Sequence, residues 1–210
     1  MSLTEKQARK PYLLETVYGF SSSIVVRTGL NVLNDFQPII MLENSNSFLT
    51  LNLDEWMNLQ GLYHVISEFV YELTELNEVE FNALSVSLGE NYIVKFSVEN
   101  GSDRFVIIKS VNNNFRFKMD KSYVHMLMKC DTLIQTGLDV LKSCDFKNFY
   151  CYYLHSVMLH FKDKTLKQKL KECCPVSIIL KGLFELVEFY PNEILKDIRL
   201  ATLYSVSRTK

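Results

Sequence analysis

Phe48-Leu49-Thr50-Leu51-Asn52-Leu53-Asp54-Glu55-Trp56-Met57-Asn58-Leu59 is a short alternating strand that runs straight into an amphipathic helix. Sixty-seven residues on, Phe115-Arg116-Phe117-Lys118-Met119-Asp120-Lys121-Ser122-Tyr123-Val124-His125-Met126 repeats the order. In this register Phe48 falls on Phe115, Trp56 on Tyr123, Leu59 on Met126, Ile66 on Leu133 and Leu73 on Val140. Apolar residues at period 2 followed by apolar residues at period 3.6 mark a strand-to-helix junction. Meeting that junction twice at a fixed distance points to a duplicated unit, with copies at 15–77 and 78–143.

Upstream of the first junction the chain reads as strands at 17–20, 24–27 and 36–42, divided by Ser21-Ser22-Ser23 and a turn at 31–35. Pro38 suggests an edge or early position in the third of these. Asp54 is the expected N-cap of the helix that follows. Its stripe is Trp56, Leu59, Tyr63, Ile66, Phe69, Val70 and Leu73, with Gly61 a weak point and Asn77 a stop. The second copy has strands at 81–88, 92–98, 104–111 and 114–119, and Asn100-Gly101 is a strong hairpin turn. Leu84, Val86 and Leu88 should face inward, as should Phe115, Phe117 and Met119, with Arg116 and Lys118 outward. The helix of 120–143 carries Tyr123, Met126, Leu127, Cys130, Leu133, Ile134 and Leu141. Thus the expected fold is α+β: two ββββα units related by a pseudo-twofold (core 1–144), followed by a helical extension at 145–210. Residues 1–11 form a polar arm in which Ser2 and Glu5 have capping-box spacing.

At 210 residues, 48% hydrophobic and 22% charged, the chain can bury a substantial core. No run reaches the roughly 18 apolar residues of a membrane span, so no membrane contact and an intracellular location are expected, with the nucleus as a candidate compartment. Five cysteines (Cys130, Cys144, Cys151, Cys173, Cys174) include no C-x-x-C pair, which argues for reduced thiols. The net charge of −1 hides an asymmetry. Residues 1–88 hold 4 Lys/Arg against 11 Asp/Glu, and residues 89–210 hold 19 against 13. A half with excess positive charge suits a polyanion-binding face.

The stretch from Leu49 to Leu59 resembles the last-strand-to-helix signature of the Whirly family and the transcriptional coactivator positive cofactor four. That signature is an apolar-Ser-Leu-Asn run, an acidic turn, a Trp, and a Leu three positions on. The second copy keeps the shape, with Tyr123 in the Trp position, and the resemblance covers about residues 15–143. It implies a non-catalytic protein that binds single-stranded nucleic acid, DNA first, along its strand surfaces, and acts in transcription or replication. Two features depart from the family. The first unit carries Arg27 alone as a basic strand residue, and an aromatic helical extension replaces a basic, serine-rich tail.

The site expected from the residues is the outward row Lys95, Lys109, Arg116 and Lys118, with Arg104 at a strand end and Arg27 in the first copy. Single strands bind such faces by phosphate neutralisation and by stacking of bases on aromatic rings. Lysine on exposed strands also serves to block aggregation. No enzyme signature, metal-ligand spacing or cofactor motif occurs. His64, His125, His155 and His160 lack ligand spacing, and the acidic cluster Glu72, Glu75, Glu78 and Glu80 reads as a solvated helix end. A rival reading is a structural or assembly protein, viral in composition, that uses the fold as an oligomerisation scaffold. The aromatic segment 146–161 and the apolar helix 176–189 would then join a homodimer or higher homo-oligomer.

Overall fold

A computed structural model describes residues 12–21, 24–71, 84–100, 103–151, 181, 182, 185 and 186. The polar arm, the helix end at Asn77, the acidic cluster, the basic run at 162–171 and most of the extension lie outside these residues. The elements described from end to end are β1 (Tyr12–Ser21), β2 (Ile24–Asn31), β3 (Gln37–Asn44), β4 (Phe48–Asn52), α1 (Leu53–Gly61), α2 (Tyr63–Tyr71), β5 (Ser85–Ser87), β6 (Tyr92–Glu99), β7 (Asp103–Ser110), β8 (Arg116–Met119) and α3 (Lys121–Ser143). Two four-stranded sheets result, β1-β2-β3-β4 and β5-β6-β7-β8, each a meander followed by helix. The pairings β3 with β4, β5 with β6, β6 with β7 and β7 with β8 are antiparallel. The expected α+β class and the two ββββα units are what the chain forms.

The repeat is present, but its offset is 68 residues rather than 67 at β2/β6, β4/β8 and the helix starts, and 66 at β3/β7. β2 and β6 begin at 24 and 92, β4 and β8 at 48 and 116, and α1 and α3 at 53 and 121. Burial follows the same offset. Leu49 and Leu51 face inward like Phe117 and Met119, and Trp56, Leu59, Ile66 and Val70 are buried like Val124, Leu127, Ile134 and Leu138. In this register Val26/Val94, Leu59/Leu127 and Ile66/Ile134 are identical pairs. A slip of one residue reverses which strand side chains face the core. Accordingly Phe48, expected to be equivalent to an inward Phe115, is 62% exposed, and Leu133, expected in the helix stripe, is 60% exposed.

Two local corrections follow from capping and helix geometry. The N-cap of α1 is Asn52, not Asp54. The Asn52 side chain accepts from the Glu55 N–H at 2.8 Å while the Glu55 carboxylate accepts from the Asn52 N–H at 2.9 Å, a reciprocal capping box. In α3 the equivalent Asp120 accepts from the Tyr123 N–H at 2.7 Å. The helix expected from 54 onward is divided at Leu62, whose N–H bonds back to Leu59 in a tighter turn just after Gly61.

One compact unit holds Thr16–Thr28 and Pro38–Leu138. Its single core cluster draws from both sheets and all three helices, with Trp56, Phe69, Phe117, Leu49 and Ile40 fully buried. Within it the two copies exchange contacts. Phe69 of α2 stacks edge-on against Phe96 of β6, ring centroids 5.0 Å apart. The equivalent positions in the other copies are Gly137 and Thr28. There a Cβ on Gly137 would meet the Tyr18 hydroxyl, with Thr28 Oγ1 3.5 Å away. Large against large in one copy is matched by small against small, plus a tyrosine, in the other. Capping residues exchange in the same way. Asn91 of the second copy donates to Glu55 at 2.8 Å, and the Tyr123 hydroxyl donates to the carbonyls of Val25 and Glu43 in the first at 3.4 and 3.3 Å.

The second compact unit takes residues 12–15, 29–37 and 139–151, with 181, 182, 185 and 186, from the described set. Its core joins Leu13, Leu14, Leu30, Leu141, Phe146, Tyr150 and Leu186. Phe36 stacks edge-on against Phe146 and Tyr150 at 5.0 and 5.1 Å. Residues 146–151 are helical, as expected for the start of the extension. Leu14 is held at φ 53°, an unusual conformation for a bulky residue, and its N–H donates to the Glu185 carboxylate at 2.7 Å.

Candidate nucleic-acid interface

Antiparallel pairing puts partnered residues on the same face of a sheet. In the second sheet Val94, Phe96, Val106, Ile108, Phe117 and Met119 are buried, so their strand neighbours form the outer face. Two rows cross that face. One runs Ser85, Lys95, Ile107, Lys118, and the next runs Ser87, Ile93, Lys109, Arg116. The four cations expected to cluster therefore do share one face, on adjoining rows. The acids of this face, Glu99 and Asp103, sit together at the β6–β7 hairpin end.

Ion pairing separates the six expected residues. Among the described residues Lys95, Lys109 and Arg116 have no carboxylate partner. Lys118 has one: its ammonium lies 2.6 Å from Glu99 and 3.5 Å above the Phe105 ring. Arg27, the first-copy counterpart of Lys95, pairs with Glu43 at 3.0 Å. Arg104 lies apart from the cluster. It donates to the Phe69 carbonyl at 2.7 Å and covers the Phe69 ring at 5.3 Å, so it ties α2 to the sheet.

The outer row ends at β8, an edge strand, and two clefts open beside it. A cleft of about 850 Å³ lies between β8 and the 44–47 turn of the first copy, with Arg116, Lys118, Phe105, Ser45, Ser47 and Ile24 in its wall. A cleft of about 500 Å³ lies between β4 and the 113–115 turn, walled by Phe48, Thr50, Tyr92, Asn113 and Phe115. Asn46, Ser47 and Arg116 belong to both. Asn44 builds the shared turn. Its side-chain oxygen accepts from the N–H groups of Asn46 and Ser47 at 3.0 and 2.9 Å, and its amide donates to the Lys118 carbonyl at 3.1 Å. That last bond occupies part of the otherwise open edge of β8.

Tyr123 lines the larger cleft. Burial pushes its phenol well above the usual value, so it serves there as a neutral hydrogen-bond donor. Among the described residues no group of His, Cys, Asp and Glu side chains is placed to hold a metal ion.

The sequence reading missed the aromatic part of this site. Phe105 is outward because it alternates with Val106, a signal available in the strand pattern. Phe48 and Phe115 headed both copies of the repeat, yet the offset of 67 assigned them to the core. Tyr92, the first residue of β6, is half-buried at the cleft wall.

Comparison with protein-family models, with curated proteins and with solved structures returns no match. Among the described residues no helix is long and apolar enough to cross a membrane.

Proposed function

We propose that this protein binds single-stranded nucleic acid, DNA first, without catalysis, through the outer face of its second sheet and the clefts beside β8. A Whirly-like role in transcription or replication, with the nucleus as a compartment, is the corresponding cellular reading. The carrying observation is the pair of adjoining rows in which Lys95, Lys109 and Arg116 stand without acidic partners among the described residues. Cations spaced along a sheet, next to aromatic walls, match a flexible polyanion with stacking bases. Fluorescence anisotropy of a labelled oligo-dT at several salt concentrations is the test. Each neutralised phosphate contributes about 0.7 to the single-strand salt slope, so replacing Lys95, Lys109 and Arg116 by Ala should lower the slope by about 2. Absence of binding by the parent at low salt would refute the proposal.

A scaffold role is the second reading, and the exposed apolar side chains of Met57 (57%) and Leu133 (60%) on helix surfaces favour it. Assembly through the C-terminal helices rests on residues mostly outside the described set. Sedimentation over a range of concentrations separates the two readings, because a scaffold assembles without nucleic acid.

A further inference from the structure

We infer that the two clefts divide the recognition of one strand, the larger gripping phosphates and the smaller stacking bases, so that the strand lies in a single direction. This rests on the proposed function. The observation behind it is that the clefts occupy equivalent places in the two copies. Each lies between the edge strand of one copy and the last β-turn of the other. At the 68-residue offset Arg116 corresponds to Phe48, Lys118 to Thr50, Ser47 to Phe115 and Ile24 to Tyr92, and every one of these residues lines its respective cleft.

Three of the four pairs place an aromatic ring in the smaller cleft where the larger has none. The larger cleft has both cations and the hydroxyls of Ser45, Ser47 and Ser122, groups that neutralise and hydrogen-bond phosphate oxygens, and its one carboxylate, Asp120, is held by the Tyr123 N–H. The smaller received three aromatic rings and no cation beyond the shared Arg116, a surface that stacks bases. Phe48 is 62% exposed, with its ring open to a ligand. Had the clefts stayed alike, a strand could cross in either direction with equal energy, because a twofold exchanges its ends. Once one cleft reads backbone and the other reads bases, reversal places the wrong part of each nucleotide run in each cleft.

The test uses the full chain and short oligo-dT probes in which two adjacent abasic sites are placed at the 5′ end or at the 3′ end. Anisotropy should show that abasic sites at one end weaken binding by roughly 5- to 100-fold per stacked base lost, and that the same change at the other end has little effect. In Phe48→Ala the difference between ends should shrink towards none, with the salt slope unchanged. Arg116→Ala with Lys118→Ala should lower the slope and keep the difference between ends. Circular dichroism checks the fold of each variant, and Phe48→Ala removes an exposed ring. Equal losses from both ends, or an end difference that survives in Phe48→Ala, would overturn the inference while leaving nucleic-acid binding in place. Failure of the intact oligonucleotide to bind would overturn both.

Discussion

Replacing Glu55 tests how the two copies are fastened. This carboxylate is 3% exposed, yet it is the third residue of a helix beside a turn, a position where glutamate normally reaches water. One oxygen accepts from the Asn52 N–H at 2.9 Å and completes the capping box, while the other accepts from Asn91 of the second copy at 2.8 Å. Gly89, at φ 85°, rests against its stem, and a Cβ there would come within 3.2 Å of Glu55 Cγ. Glu55→Ala removes a cap worth about 1 kcal/mol and a favourable charge at a helix N-terminus worth about 0.3–1 kcal/mol. It also removes a charge-assisted bond of about 1.5–3 kcal/mol, much of which water recovers because Asn91 is exposed. The sum is a loss of about 2–3 kcal/mol. Glu55→Gln keeps the stem and one acceptor oxygen and should lose about half as much. Urea unfolding followed by far-UV circular dichroism measures both. If Glu55→Ala lies within about 0.5 kcal/mol of the parent, the cap and the bond between copies carry no net stability, and the reasoning fails.

Trp56 is fully buried, and among the described residues its indole N–H has no hydrogen-bond partner. Trp56→Ala should cost about 3–5 kcal/mol as a large core truncation, whereas Trp56→Phe loses volume but also removes an unsatisfied donor, and should cost less than about 2 kcal/mol. Equal losses in urea melts would show that the N–H is not a burden. Alkaline stability should depend on Tyr63 and Tyr123, both raised chiefly by burial above the ordinary phenol value of 10.0. The unfolded phenols ionise first, so their stabilising contribution is complete below about pH 10 and is lost as pH climbs through the higher folded values. Tyr63→Phe removes the buried phenol and should lose less stability than the parent between pH 9 and 11. Parallel decline of the two proteins in denaturant titrations would count against this.

Most of the fold was legible because its signals are local. Alternation in 92–98 and 104–111, the Asn100 turn and the long stripe of α3 each reflect burial of one face, and burial acts on neighbouring residues. The offset between copies was not legible to one residue. A strand-to-helix junction can be aligned by its strand or by its helix, and pairing Trp56 with Tyr123 favoured the helix by aromatic likeness. The structure pairs Trp56 with Val124 and Glu55 with Tyr123 instead. Both members of the latter pair are buried and both reach the opposite copy, so the equivalence lies in position and bonding rather than residue type. Arg104 was misread for a related reason: a strand-end arginine looks solvated until α2 is placed beside it.

The charge asymmetry of the sequence acquires a location from this register. The basic face of the second sheet has a counterpart in the first, and each cation there has been answered differently. Lys95 is matched by Arg27, which is neutralised by Glu43. In the strand pairing Arg116 is matched by Phe48, Lys118 by Thr50 and Lys109 by Glu43 itself. Among the buried positions Val26, Leu59 and Ile66 are retained as the same residue in both copies, and Leu49, Leu51 and Trp56 are replaced by the apolar residues Phe117, Met119 and Val124. Packing constrains interior residues by volume and shape, so substitutions there are costly, while an outer strand face tolerates almost any side chain. The second sheet carries four cations on these rows, and the first is nearly without net charge on the equivalent ones. A dimer of identical half-units could not make that distinction, since both of its faces would have to change together.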